Sequence, residues 1–142
     1  MKILILNGPN LNLLGKRETS IYGTTTWEGI FQQLQKEFTP YRMQLFSFQT
    51  NLEGEIINQL QQADTWADGI VLNAGGYTHT SVAIGDAVKA LSTPLVEVHI
   101  SNLAARESYR HTSYISPYAK GVIFGFGPES YTLALHYFLI KK

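Results

Sequence analysis

Five short apolar runs, separated by helical or polar segments, constrain the fold of this chain more than any other feature. They lie at residues 3–6, 43–49, 69–72, 95–99 and 121–124. Short runs that are rich in leucine and β-branched residues and bounded by Gly or Pro are typical of buried strands. Strands that alternate with helices at this spacing predict a parallel sheet covered on both faces.

The helices are predicted from capping residues between these runs. Thr25 begins a capping box with Glu28, which predicts a helix to about residue 38. Asn51 is predicted to cap a helix to about residue 63, and further helices are expected at about 81–90 and from 129 or 130 to the end of the chain. The pattern predicts a flavodoxin-like, doubly wound α/β fold, with five parallel strands in three α/β/α layers and ligands at the carboxyl ends of the strands.

The composition argues against several classes of function. The 142 residues predict a single domain at 1–142, and the net charge of zero argues against a nucleic-acid partner. No cysteine is present for disulfide or thiolate chemistry. No apolar run approaches the roughly 18 residues that a membrane helix needs. The chain begins directly with a strand, so no signal peptide and no membrane partner are expected, and a cytoplasmic location is predicted.

The connection after the first strand, residues 7–23, is long and polar. It exceeds the roughly two to six residues of an ordinary strand-to-helix loop, and it is predicted to be too polar and too broken to be helical. Glycines at its positions 15 and 23 would let residues 15–23 open and close, which predicts an active-site lid. Arg17 close to Tyr22 would favour the phenolate, a base. The alternative is that Tyr22 is an exposed tyrosine that only packs its ring.

Other candidate residues lie just past the strands, where a ligand is expected. Glu97 and His99 share one face of a strand, so the carboxylate could orient the ring and make His99 a general acid. The alternative is a satisfied histidine at a strand end. The Gly75-Gly76 pair after Asn73 could let backbone amides approach an anion, or could form an ordinary turn.

Two arginines and an aspartate are weaker candidates. Arg106 and Arg110 are four residues apart and could bind a carboxylate or hydroxyl groups, or form surface ion pairs with Glu107. Asp86 could be a solvated helix residue. The four histidines lack a compact metal-ligand spacing, and no P-loop or GxGxxG follows the first strand, so neither a metal nor a cofactor is predicted.

Five motifs occur in order: NGPNLNLLG at 7–15, RE with YG at 17–23, NAGG at 73–76, EVHISN at 97–102, and RE with RH at 106–111 followed by GVI at 121–123. Together they resemble the type II 3-dehydroquinate dehydratase family over nearly the whole chain. The resemblance implies removal of water from 3-dehydroquinate, by anti elimination through an enolate, to give 3-dehydroshikimate without metal or organic cofactor.

The resemblance also implies a role for each matching residue. Tyr22 would be the base that takes the proton from carbon two, and Arg17 would lower its pKa. Asn10 would hold a water that stabilises the enolate oxygen. His99, oriented by Glu97, would protonate the departing hydroxyl. Residues implied in substrate binding and lid closure are Asn73, His79, Asp86 (in a neighbouring subunit's site), Ile100, Ser101, Arg110 and Arg106 (lid).

Members of this family form dodecamers of trimers, so a homo-oligomer is expected. The chain departs from the family pattern at Thr19, where relatives usually carry proline, and at Ala104 and Thr112, where they often carry histidine. The first departure implies a less rigid open lid. Two alternatives from other classes of function are a catalytically silent binding module for a small anion and a purely structural assembly subunit.

Overall fold

The predicted sheet is present in a computed structural model of the chain. The structure describes residues 1–16, 18–22 and 24–141, with only the backbone described at 21 and 22. Its strands are β1 (Lys2–Asn7), β2 (Gln44–Gln49), β3 (Gly69–Asn73), β4 (Leu95–His99) and β5 (Gly121–Phe124). They form one parallel sheet in the order β2-β1-β3-β4-β5, which confirms the flavodoxin-like doubly wound prediction.

Helices connect the strands close to the predicted positions. The short α1 (Thr19–Tyr22) was not predicted, and the predicted helices are α2 (Trp27–Phe38), α3 (Glu53–Ala63), α4 (Val82–Ala90) and α5 (Glu129–Ile140). Short 3₁₀ turns occur at Leu11–Leu13, Thr39–Tyr41, Gly75–His79, Leu103–Ala105, Ser108–His111 and Ser116–Tyr118. Within the described residues, no helix is both long enough and apolar enough to cross a membrane.

Three local predictions were wrong. The N-cap of α2 is Thr26, not Thr25, and its hydroxyl accepts the N–H of Gly29 at 3.3 Å. Asn51 does not cap α3, because its Oδ1 accepts the backbone N–H of Asn10 at 3.0 Å instead. The connection after β1 is also partly helical, since it contains the turn at Leu11–Leu13 and the single turn of α1.

Two apolar layers cover the sheet, because alternate residues of a strand point to opposite faces. Ile3 and Ile5 of β1 pack in a cluster with α2 and α5. Leu4 and Leu6 pack on the other face with α3 and α4. This confirms the three α/β/α layers. Both faces of the central strands are apolar, so polar side chains concentrate at the strand ends, where they define the site.

A glycine in α4 is required by close packing. An added Cβ at Gly85 would lie 2.5 Å from the carbonyl oxygen of Tyr114, whereas one at Gly54 in α3 would meet nothing within 4 Å. We expect Gly85→Ala to lower the free energy of unfolding by about 2 kcal/mol or more. Gly54→Ala, the matched control, should be neutral or stabilising by up to about 1 kcal/mol. Urea denaturation measures both, and equal effects would contradict this packing.

Candidate active site

A cleft lies at the carboxyl edge of the sheet, where the doubly wound topology places ligands. It contains about 770 Å³ of space not filled by atoms, including its open mouth, which suits a small molecule. Eight of the residues predicted to form the site line it: Asn10, Asn73, His79, His99, Ile100, Ser101, Arg106 and Arg110.

The other predicted residues are placed differently. Glu97 is completely buried behind the cleft and reaches it through His99. Asp86 is an exposed residue of α4 and is not among the residues that line the cleft. Arg17 and the side chain of Tyr22 lie outside the described residues. The predicted lid at 15–23 is therefore described only in part, and one of its residues, Glu18, lines the cleft.

The pair formed by Glu97 and His99 is the chemical centre of the cleft. Both residues are on β4, two positions apart, so their side chains leave the same face of the sheet. His99 Nε2 lies 2.8 Å from Glu97 Oε1. This bond fixes the orientation of the ring and leaves Nδ1 as the nitrogen available to a substrate. A protonated ring here would be stabilised by the carboxylate and could donate a proton.

Glu97 stays ionised although it is buried. Burial alone would raise its pKa, but the hydrogen bond from His99 and the charge of His99 act in the opposite direction. The hydroxyls of Ser116 and Thr78 also donate to the carboxylate, and together these contacts lower the pKa of Glu97. A carboxylate with this many donors accepts hydrogen bonds without needing a proton of its own.

His79 is the second histidine of the cleft, and its ring contacts a backbone carbonyl rather than a carboxylate. Its ring stacks on that of His99 with centroids 6.3 Å apart, and its Nδ1 lies 2.7 Å from the carbonyl oxygen of Thr112. Partial burial lowers the pKa of His79, and the charges of His99 and Arg110 lower it further. A neutral His79 is suited to hydrogen bonding with a hydroxyl group rather than to binding an anion.

Asn10 is held in a left-handed conformation at the cleft by amide side chains from the end of β2 and the β2–α3 connection. Its φ is 69°, and its N–H donates to Asn51 Oδ1 at 3.0 Å. Gln49 Nε2 also donates to Asn51 Oδ1, at 3.1 Å, and to the carbonyl of Gly8 at 3.2 Å. These bonds position the loop that carries Asn10 before any ligand arrives.

The two arginines lie on the same side of the cleft. Arg106 Nη1 donates to the hydroxyl of Ser101 at 3.1 Å, and Arg110 Nε donates to Glu107 Oε2 at 2.8 Å. The arginines line the cleft and also form exposed ion pairs with Glu107. The two interpretations of these residues are therefore compatible. Among the described residues, no group of three or more His, Asp or Glu side chains could hold a metal ion.

Comparison with known proteins places this geometry in a family. The family model for class II dehydroquinase matches residues 1–139. The chain belongs to the class II dehydroquinase family. A relative named 3-dehydroquinate dehydratase from Dinoroseobacter shibae is 52% identical over 135 residues, covering 95% of this chain and 90% of the relative. The crystal structure of a type II dehydroquinase from Butyrivibrio crossotus superposes with a TM-score of 0.94 at 42% identity, covering 96% of each chain. One from Propionibacterium acnes gives 0.93 at 40% identity, covering 96% of this chain and 94% of that one.

A buried network of hydrogen bonds supports the cleft of this dehydroquinase, and it could not be predicted from the sequence. Tyr131 on α5 is completely buried, and its hydroxyl donates to Asn7 Oδ1 at 2.8 Å. Asn73 Nδ2 donates to the same hydroxyl at 2.8 Å, while Asn73 Oδ1 accepts the N–H of Gly75 at 3.1 Å. Asn7 at the end of β1 is completely buried within this network of bonds. Tyr131 therefore holds the amide of Asn73 in a single orientation at the cleft.

We expect Tyr131→Phe to lower the free energy of unfolding by about 1–3 kcal/mol, because Asn7 Oδ1 and Asn73 Nδ2 each lose the hydroxyl as a hydrogen-bond partner. Tyr137→Phe on the same helix is the matched control, since Tyr137 is only half-buried and packs its ring against Phe138. Denaturant unfolding of both variants measures the difference. A cost no greater than that of Tyr137→Phe would show that the hydroxyl of Tyr131 contributes nothing.

Proposed function

We propose that this chain is a type II 3-dehydroquinate dehydratase, a hydro-lyase that converts 3-dehydroquinate to 3-dehydroshikimate and water in the shikimate pathway. The observation that carries the proposal is the buried pair of Glu97 and His99 at the floor of the cleft. Elimination beside a ketone needs a proton donor for the departing hydroxyl, and this pair supplies one. Membership of the dehydroquinase family supports the same reaction.

We propose that the elimination proceeds through an enolate. The phenolate of Tyr22, stabilised by Arg17, takes the proton from carbon two, and the electron pair of that C–H bond moves into the ketone to form the enolate. Asn10 holds a water that hydrogen-bonds to the enolate oxygen. The enolate then collapses, the C–O bond to the hydroxyl breaks, and His99 donates its proton so that water leaves. Donors preorganised around developing charge favour such a transition state.

The remaining residues of the cleft bind the substrate in this proposal. Asn73 and the backbone amides of Ile100 and Ser101 hold the carboxylate of the substrate. The fixed orientation of the Asn73 amide at the cleft edge supports this assignment. His79 and Arg110 contact the ring hydroxyls, in keeping with the lowered pKa of His79. Arg106 supports closure of the lid, which is formed by residues 15–23. The reaction as written needs no metal or organic cofactor.

We also propose that the chain is a single domain that assembles into dodecamers built from trimers and works in the cytoplasm. Exposed apolar side chains near the β5 edge support the assembly: Tyr114, Tyr118, Val122, Phe124 and Phe126. Asp86 follows Gly85, which packs against the backbone of Tyr114, so it lies beside this surface. There it would reach the cleft of a neighbouring copy. Sedimentation equilibrium tests the assembly, and a monomer would contradict it.

The reaction is tested by the ultraviolet absorbance of the conjugated enone formed from 3-dehydroquinate. Native protein should produce this absorbance, and His99→Ala should not. Substrate binding is measured in parallel from the ligand-induced shift in melting temperature. A folded native protein that binds 3-dehydroquinate but forms no product would instead be a silent binding module, and a protein that shows no shift and no product would be a structural subunit.

A further inference from the structure

Three hydroxyl groups that are not among the residues lining the cleft surround the buried carboxylate of Glu97. Thr78 donates to Oε1, the oxygen that also contacts His99, and Ser116 donates to Oε2. Ser113 Oγ lies 3.1 Å from Oε1 and 3.3 Å from Oε2, within hydrogen-bond distance of both oxygens. We call Thr78, Ser113 and Ser116 the hydroxyl cage.

The hydroxyl cage is held rigidly by the backbone. Ser113 Oγ accepts the N–H groups of Ile115 and Ser116, each at 3.0 Å, and lies 2.6 Å from the hydroxyl of Thr78. Thr78 is completely buried, and its carbonyl accepts the N–H of Tyr114 at 2.8 Å. The hydroxyls of Ser113 and Thr78 therefore cannot turn away from Glu97 without breaking these bonds, and the backbone of Ser116 is held beside them.

Such a cage controls how strongly the carboxylate attracts a proton. Each donated hydrogen bond stabilises the negative charge of Glu97, and a more stabilised carboxylate holds the proton of its partner less tightly. We propose that Thr78, Ser113 and Ser116 are positioning residues that set how readily His99 releases its proton to the departing hydroxyl. This inference rests on the proposed function, because it assigns a purpose to the cage only if His99 is the acid.

Other charged groups near His99 act on its ring in the same way in the native protein and in variants of the hydroxyl cage. His79 stacks on its ring, Arg106 and Arg110 line the same cleft with Glu18, and His111 lines the groove behind the ring. Arg17 and Tyr22 of the lid belong to the proposed machinery as well. None of these groups donates to Glu97 in the described contacts, so removing one cage hydroxyl changes the donors around the carboxylate and leaves these charges in place.

The test compares Ser116→Ala and Thr78→Val with the native enzyme. Thr78→Val keeps the shape of the side chain and removes only the hydroxyl. We expect the basic limb of the kcat–pH profile to move to higher pH by about half a unit, a roughly threefold change in proton affinity. At neutral pH kcat should fall by up to about threefold while KM stays close to the native value, because the cage does not touch the substrate. Ser116→Thr, which restores a hydroxyl, should return the limb to its native position.

Ser92→Ala, which removes an exposed hydroxyl from the α4–β4 connection, is the control and should leave the profile unchanged. A cage that serves stability alone would lower the melting temperature of the variants with the basic limb unmoved, and this would overturn the inference. Because two variants are compared, the test still gives a result if one of them fails to fold. Absence of product from the native enzyme would refute the proposed function instead, so the two failures are distinguishable.

Discussion

Tyr22→Phe is expected to lower kcat by about two to four orders of magnitude, the range for loss of a general base. The ring is retained, so KM for 3-dehydroquinate should stay within about threefold of the native value. An ordinary tyrosine has a pKa near 10, and only about one in a thousand is ionised at neutral pH. In the proposed mechanism the guanidinium of Arg17 stabilises the phenolate, and phenylalanine has no proton acceptor to replace it.

Proton exchange in D₂O makes this test specific for the base. Loss of the base should stop the exchange of the carbon-two proton along with the elimination, because both begin with the same C–H cleavage. Tyr41→Phe is the matched control, since Tyr41 is half exposed and precedes β2, at the opposite edge of the sheet from the cleft. Native turnover or native exchange in Tyr22→Phe would place the base on another residue.

Most of the fold could be predicted because strand and helix signals in this chain are local. The run at 69–72 is apolar at every position, and the structure buries all of β3 between two layers of helices. Parallel strands covered on both faces need such continuous runs. The order of the strands followed from the number of β–α units.

Caps and loops were harder to predict because several polar residues compete for each position. Thr25 and Thr26 are both good caps, and only the final geometry selects Thr26. Asn51 has the side chain of a capping residue, yet the loop that carries Asn10 lies within hydrogen-bond distance and takes its oxygen. A tertiary contact outweighed a local preference in that case.

The site shows the same division between local and tertiary information. Glu97 and His99 were predicted to interact because alternation along one strand brings their side chains together. Tyr131 and Asn7 are 124 residues apart in the chain, and their hydrogen bond depends on how α5 crosses the sheet. No pattern in the sequence reports that contact. The hydroxyl cage is similar, since Thr78 and Ser116 reach Glu97 from two separate connections.

Glu97→Gln is expected to lower kcat by about two to three orders of magnitude with little change in KM. The amide fills the same space but carries no charge, so it no longer stabilises a protonated His99. If its NH₂ group faces the ring, it also forces His99 Nε2 to accept a hydrogen bond and selects the wrong tautomer. Exchange of the carbon-two proton in D₂O should continue, because the base is intact. This retained exchange distinguishes Glu97→Gln from Tyr22→Phe.

The stability of Glu97→Gln should also depend on pH in a defined direction. The pKa of Glu97 is lowered in the folded protein, so the unfolded chain binds its proton first as the pH falls. The native protein therefore loses this contribution below about pH 4.3, the ordinary pKa of glutamate. The difference in unfolding free energy between native protein and variant should be largest at neutral pH and should shrink in acid.

Glu37→Gln, which alters a half-exposed carboxylate 3.7 Å from His136, is the matched control and should leave both kcat and the pH dependence unchanged. A difference that stays constant down to low pH would mean that the pKa of Glu97 is the same in the folded and unfolded protein, and a difference that grows in acid would mean that the carboxyl is protonated in the folded enzyme.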